Sequence, residues 1–147
     1  MVDDLLEPER AIVKRLKDKI KSVSVLRASD SRDILQGNKP QITPAILVLS
    51  GGADATLNGS VITIVLRFVL MIATRNVSDV RSGGAARDEA GPLAPKVIEA
   101  MQGWRPCVGF SHLLLTSIDA PLLSEGYFLL PLIFTTNTFA SGENQYG

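Results

Sequence analysis

Val61-Ile62-Thr63-Ile64-Val65-Leu66-Arg67-Phe68-Val69-Leu70-Met71-Ile72-Ala73-Thr74 decides how the rest of the chain is read. With a period of two, one face carries Ile62, Ile64, Leu66, Phe68, Leu70 and Ile72. The other carries Val61, Thr63, Val65, Arg67, Val69, Met71 and Ala73, so both faces are largely apolar. β-Branched residues dominate and neither Gly nor Pro interrupts, which favours a long strand with both faces mostly covered. A membrane helix is the rival reading. It needs about 20 apolar residues, and this shorter run has Arg67 in its middle. The stretch is therefore expected to be the central strand of a soluble sheet.

Upstream the spacing changes. From Glu7 to Lys21, Ile12, Val13, Leu16 and Ile20 form one stripe, with basic residues mostly on the other faces. Pro8 suits a first helical turn, and Glu7 and Glu9 lie near the positive end of the helix dipole. The basic cluster reads as a solvated face rather than a phosphate site. Val23 to Leu26 is a short strand, and Ala28 to Pro40 is polar and turn-rich, hence a loop. Thr43 to Ser50 is a second strand that Gly51-Gly52 should break. Asn58-Gly59 is a hairpin signal, so Ala53 to Leu57 is an optional strand extension that returns through it.

Beyond the central strand, Val77 to Gly84 is a polar connection. A second helix begins between Ala85 and Leu93 and runs to Gln102, with Leu93, Val97, Met101 and Trp104 as its stripe. Pro92 and Pro95 both resist a helix interior, and Gly103 suits a C-cap. Two last strands, His112 to Ile118 and Tyr127 to Phe139, are joined by a turn over Asp119 to Gly126. Pro131 points to an edge or a bulge. Ser141 to Gly147 is a polar tail. The order implies an α+β fold, a mainly antiparallel β-sheet with two α-helices packed on one face, in a single domain spanning residues 1–147.

Acids and bases balance at fifteen each. That argues against a dedicated nucleic-acid binder, which carries a basic surplus. The single cysteine, Cys107, excludes an internal disulfide and a cysteine-rich zinc site. The acidic N-terminus has no apolar stretch of signal-peptide type, so a cytoplasmic, reducing home and no membrane partner are expected.

The search for chemistry is empty. Cys107 and the one histidine, His112, are a conceivable nucleophile and base, but no third group orients them, and a small buried or half-buried thiol and a histidine on a strand surface are the simpler account. The acidic pairs lack an EF-hand or HExxH pattern, so no metal is expected. The glycine pairs fit neither a P-loop nor a dinucleotide fingerprint, so no cofactor is expected. Trp104 reads as a core plug and Pro106 as a helix stop, and Arg105 could stack on the indole.

Arg75-Asn76, then Arg87-Asp88-Glu89-Ala90-Gly91-Pro92-Leu93, then Gly103-Trp104-Arg105-Pro106, and the closing Tyr127 … Pro131-Leu132 … Phe134-Thr135-Thr136 carry a resemblance. With the opening helix around Ile12-Val13-Lys14-Arg15-Leu16, they resemble the Mu-like tail terminator proteins of long-tailed bacteriophages. The likeness covers most of the chain and rests on the order and spacing of these short motifs. It implies a structural virion protein at the head-proximal end of the tail. Such proteins form a ring, usually hexameric, that caps the tail tube, stops its polymerisation and presents a docking surface to the head-side connector. DNA passes through the channel without sequence-specific binding, and no cofactor is needed. On this reading the interface candidates are Arg75, Asn76, Asp79, Arg81 and Arg105, with Trp104 and Pro106 as structural anchors. Another neck component, such as a head-completion protein, and a small cysteine hydrolase using Cys107 are the alternatives.

Overall fold

A computed structural model describes residues 3–27, 44–75, 84–124 and 127–141. Helix α1 spans Glu7–Lys19, with Pro8 in its first turn, Glu7 and Glu9 at its start and Lys17 and Lys19 at its end. It stops short of Lys21 because Ile20 turns extended (φ −124°, ψ 94°) while its N–H still bonds the Leu16 carbonyl. Ahead of the helix, Asp4 accepts the Leu6 N–H at 2.8 Å and pairs with Arg10. Ile12, Val13, Leu16 and Ile20 are buried, as the stripe requires.

One six-stranded sheet follows. Strand β1 is Ser24–Arg27, β2 Ala45–Asn58, β3 Val61–Arg75, β4 Leu114–Ile118, β5 Leu122–Ser124 and β6 Tyr127–Ser141. The order across the sheet is β1-β2-β3-β6-β4, with β5 also paired to β6. Only β1 and β2 run parallel; every other pairing is antiparallel. The stretches read as a loop at Ala28 to Pro40, as the Val77 to Gly84 connection and as a C-terminal tail lie wholly or mainly outside the described residues.

Strand β3 holds the centre, in continuous register with β6 from Val61↔Ser141 to Arg75↔Tyr127. Its even-numbered face meets the helices: Leu66, Phe68, Leu70 and Ile72 are buried there with Ile12, Leu16, Val97, Met101, Phe110 and Phe134. On the opposite face Met71 and Ala73 are buried with Ala45, Leu47, Leu49, Tyr127 and Leu129. Among the described residues, coverage is thus two-sided only over the second half of β3. Val61 is exposed and Ile62 to Val65 are half-buried. The β2–β3 hairpin and the end of β6 therefore form a three-stranded arm beyond the helix layer.

Gly51-Gly52 does not end β2. The strand passes through a β-bulge, its register shifting between Ser50 and Ala53, and continues to Asn58. Gly52 takes φ 83°, open to glycine at little cost, and a Cβ on Gly51 would crowd Arg67 Cβ at 3.2 Å. Arg67 braces the bulge: its Nε donates to the Gly51 carbonyl at 3.2 Å and its Nη1 pairs with Asp54 at 2.5 Å. The expected extension over Ala53 to Leu57 and the Asn58-Gly59 turn are both present.

The second helix is two. Helix α2 is Gly84–Ala90 and α3 is Leu93–Met101, divided at Gly91-Pro92, where the Gly91 N–H closes α2 on the Arg87 carbonyl at 3.0 Å. Pro92 is the N-cap of α3, and Pro95 falls in its first turn, where N–H groups have no intrahelical acceptor. Both prolines are thereby accommodated. Gly103 follows the helix with φ 76°.

Strand β4 begins at Leu114 rather than His112, and the expected turn holds β5. Pro131 does not mark an edge: β6 has β3 on one side and β4 and β5 on the other. The Pro131 carbonyl accepts the Asp119 N–H at 3.1 Å, so its missing donor faces the break between β4 and β5.

Candidate functional site

The motif residues gather at two places. The first is the corner where α1, α3 and the segment after α3 meet. Trp104 is half-buried against the main core and Pro106 is buried. The cation on the indole is Arg15 of α1, not Arg105: its guanidinium carbon lies 4.8 Å from the ring centroid. Arg15 also donates Nε to the Ala100 carbonyl at 2.7 Å, capping one of the last carbonyls of α3. Arg105 is engaged elsewhere. Its Nε donates to the Phe110 carbonyl at 2.9 Å, which closes the 105–110 loop. Trp104 also accepts the Leu113 N–H through its carbonyl at 2.9 Å. Beside this corner, Arg15, Lys19, Lys21 and Lys96 line a groove that includes Glu99.

Cys107 and His112 sit in the same segment. Burial pushes the Cys107 thiol up to about 11, with Glu7 adding to the rise and Arg10 and Arg105 opposing it. A thiol held protonated near neutrality is a poor nucleophile. His112 is exposed. Among the described residues no cluster of His, Cys, Asp and Glu has the makings of a metal site. Nor is any helix among them long and apolar enough to cross a membrane.

The second place is the end of β3. Arg75 stands opposite Tyr127 in the ladder and stacks on its ring, 4.8 Å from the centroid. Its Nε is buried and has no hydrogen-bond partner among the described residues. On the other face of the sheet, Arg87 of α2 lies 5.4 Å from the Phe128 ring centroid, and Thr74 Oγ1 donates to the Ala86 carbonyl at 2.6 Å. These contacts moor α2 to the ladder step where β3 and β6 meet. Asn76, Asp79 and Arg81 lie outside the described residues.

The arm adds a third feature, which no motif signalled. Its exposed side chains include Leu57 (70 %), Phe139 (60 %) and Val61 (41 %). The only hint in the sequence is that these large apolar residues flank a turn and a strand end.

A family model described as phage tail terminator protein matches residues 1–144. The chain belongs to the phage tail terminator family. A chain from the solved virion of a native gene transfer agent particle has the same fold, with a TM-score of 0.57 and 16 % sequence identity. The match covers 90 % of this chain and 94 % of that one. No curated protein sequence matches. The tail terminator family is one of structural phage proteins, so the protein is a component of the virion tail.

Proposed function

We propose that this protein forms a ring at the head-proximal end of the phage tail, where it caps the tail tube, ends polymerisation and offers a docking surface to the head-side connector. The observation that carries the reading is the family match over residues 1–144. Six copies are proposed on the same ground, with the tail tube protein below, the connector or head-completion protein above, and DNA passing through the channel unread. The balanced charge fits such passage: a strongly basic lining would hold DNA rather than release it.

Arg75, Asn76, Asp79, Arg81 and Arg105 are proposed as interface residues. Support for Arg75 is its buried Nε, a donor that a neighbour's carbonyl or carboxylate would satisfy. Arg105 is exposed, and one nitrogen fixes its loop while the rest of the fork is presented outward. Trp104 and Pro106 are assigned to anchoring that loop.

The test is electron microscopy of phage lacking this protein, complemented in trans. Overlong, headless tails in the absence of the protein, and tails of normal length on complementation, are expected. Tails of normal length without it, or its density along the tube, baseplate or capsid, would overturn the assignment.

A further inference from the structure

Among the described residues, the outer edge of β2 is unpaired for most of its length. Strand β1 covers only Ala45 to Val48, and Ala53 to Asn58 are all exposed. Strand geometry fixes which main-chain groups face outward. The Asn137 carbonyl accepts from Ser111 on the β4 side of β6, and N–H and C=O directions alternate along each strand. Carried across the ladders, that alternation turns the N–H and C=O groups of Ala53, Ala55 and Leu57 away from β3. Among the described residues no strand takes them.

An open edge of this kind invites strand addition, and proteins usually blunt theirs with lysine, proline, a bulge or a cover. Ala53-Asp54-Ala55-Thr56-Leu57-Asn58 has no proline and no lysine, and its one charge, Asp54, is paired with Arg67. The opposite edge differs. Strand β4 is short and bulged, the Leu115 N–H is capped by Gln102 Oε1 at 2.7 Å, and Asp119 to Pro121 interrupts it before β5. The β4 edge is guarded along its length, whereas β2 has its bulge at Ser50 to Ala53 and, among the described residues, no guard beyond it.

The arm has a second open edge. Among the described residues, β4 reaches only Thr135 of β6, and the Gly109 to Ser111 segment bonds no further than Thr138. Phe139 and Ser141 therefore present outward main-chain groups too. Both strands run antiparallel to β3, so β2 and β6 are parallel to each other, and Thr56, Thr63 and Phe139 lie in one row. The two most exposed large apolar side chains of the arm, Leu57 and Phe139, stand on these two edges.

We propose that the β2 edge at Ala53, Ala55 and Leu57 is a strand-pairing surface, occupied in the assembled ring by the β6 edge at Phe139 and Ser141 of a second copy. The contact is head-to-tail, the kind that closes into a ring when its rotation allows, and it sets a neighbouring strand beside Leu57 on one face of the arm and beside Phe139 on the other. The inference rests on the ring reading given above and names the edges that join.

The experiment compares purified subunit with purified tails by amide hydrogen exchange, alongside trans complementation with three variants. Amides of Ala53, Ala55 and Leu57 exchange freely in the subunit and become protected in tails. Ala55→Pro removes an outward N–H and leaves the β3 ladder whole, so its melting should match wild type while terminated tails are lost. Leu57→Lys and Phe139→Lys alter exposed side chains only and should each fail in the same way, which keeps the test open should Ala55→Pro fold poorly. A ring at the tube end with unprotected edge amides, or with both lysine variants assembling as wild type, overturns the edge pairing alone. Tails that carry the protein without any ring overturn the functional reading and the pairing with it.

Discussion

Removing Arg15 should destabilise the subunit through two contacts at once. Its Nε supplies a charged hydrogen bond to the Ala100 carbonyl at the end of α3, and its guanidinium stacks on Trp104 at 4.8 Å. A hydrogen bond from a charged donor contributes roughly 1.5 kcal/mol at the low end, appropriate where water reaches the groove. The stacked cation adds about 0.5–1 kcal/mol. Arg15→Ala should therefore cost about 2 kcal/mol. Trp104→Ala should fall below the roughly 3–5 kcal/mol of a fully buried aromatic, because the indole is only half-buried; about 2 kcal/mol is expected. The double variant should then lose less than the sum, by about 0.5–1 kcal/mol, the coupling of the stacked pair. Urea unfolding of the four proteins at equal ionic strength measures it. Additivity within about 0.3 kcal/mol would show that the two side chains contribute independently, and would refute the stacking argument. Arg105→Ala is the internal control, expected to lose about 1 kcal/mol for one loop hydrogen bond and to show no coupling to Trp104.

Three further outcomes follow from local geometry. Cys107 should alkylate slowly at neutral pH and faster as pH rises toward about 11, and Cys107→Ser with His112→Gln should leave folding and tail assembly near normal; lost infectivity with the fold intact would give these residues a role. Gly59→Ala meets no atom within 4 Å but must hold φ 67°, so it should cost about 1 kcal/mol from the backbone alone, measured as a fall in Tm of about 2–4 °C. The Arg10 hydrogen bond, then that of the Leu6 N–H, holds the Asp4 carboxyl below its ordinary 3.8, so its stabilising contribution is present above that pH and is lost as pH falls through the lowered value. A carboxyl titration by NMR should show Asp4 moving back toward 3.8 in Arg10→Ala.

How much of this was legible in the sequence depends on how local each cause is. The central strand was readable because its two faces are written in consecutive residues, and α1 because its stripe and charged ends agree. The hairpin was signalled by Asn58-Gly59. The bulge was not, since Gly51-Gly52 reads as a stop until Arg67, on the next strand, is seen holding the Gly51 carbonyl. Likewise Arg105 was the natural partner for Trp104 in sequence, whereas Arg15 reaches it only after α1 packs beside α3. Pro131 suggested an edge because strand order is a long-range property; the ladder absorbs it at the gap between β4 and β5.

The arm has the same kind of cause, and it follows from lengths. Helix α1 has 13 residues, which at about 1.5 Å each reach about 20 Å. Strand β3 has 15, which at about 3.3 Å each reach about 50 Å. A single helix laid on the sheet covers less than half of such a strand, and α2 and α3 are shorter still. Strand β1 has 4 residues against the 14 of β2, and among the described residues nothing else pairs with that edge. An isolated globular subunit would trim the excess strand or coat it with charge. This chain instead keeps Leu57, Val61 and Phe139 on it, three large apolar side chains exposed to water. A protruding ribbon with exposed large apolar side chains and a single charge, Asp54, already paired with Arg67, is stable in water only marginally, and gains most when neighbouring copies cover it. On the ring proposed above, the surplus strand length is the part of this small α+β subunit that neighbouring copies complete.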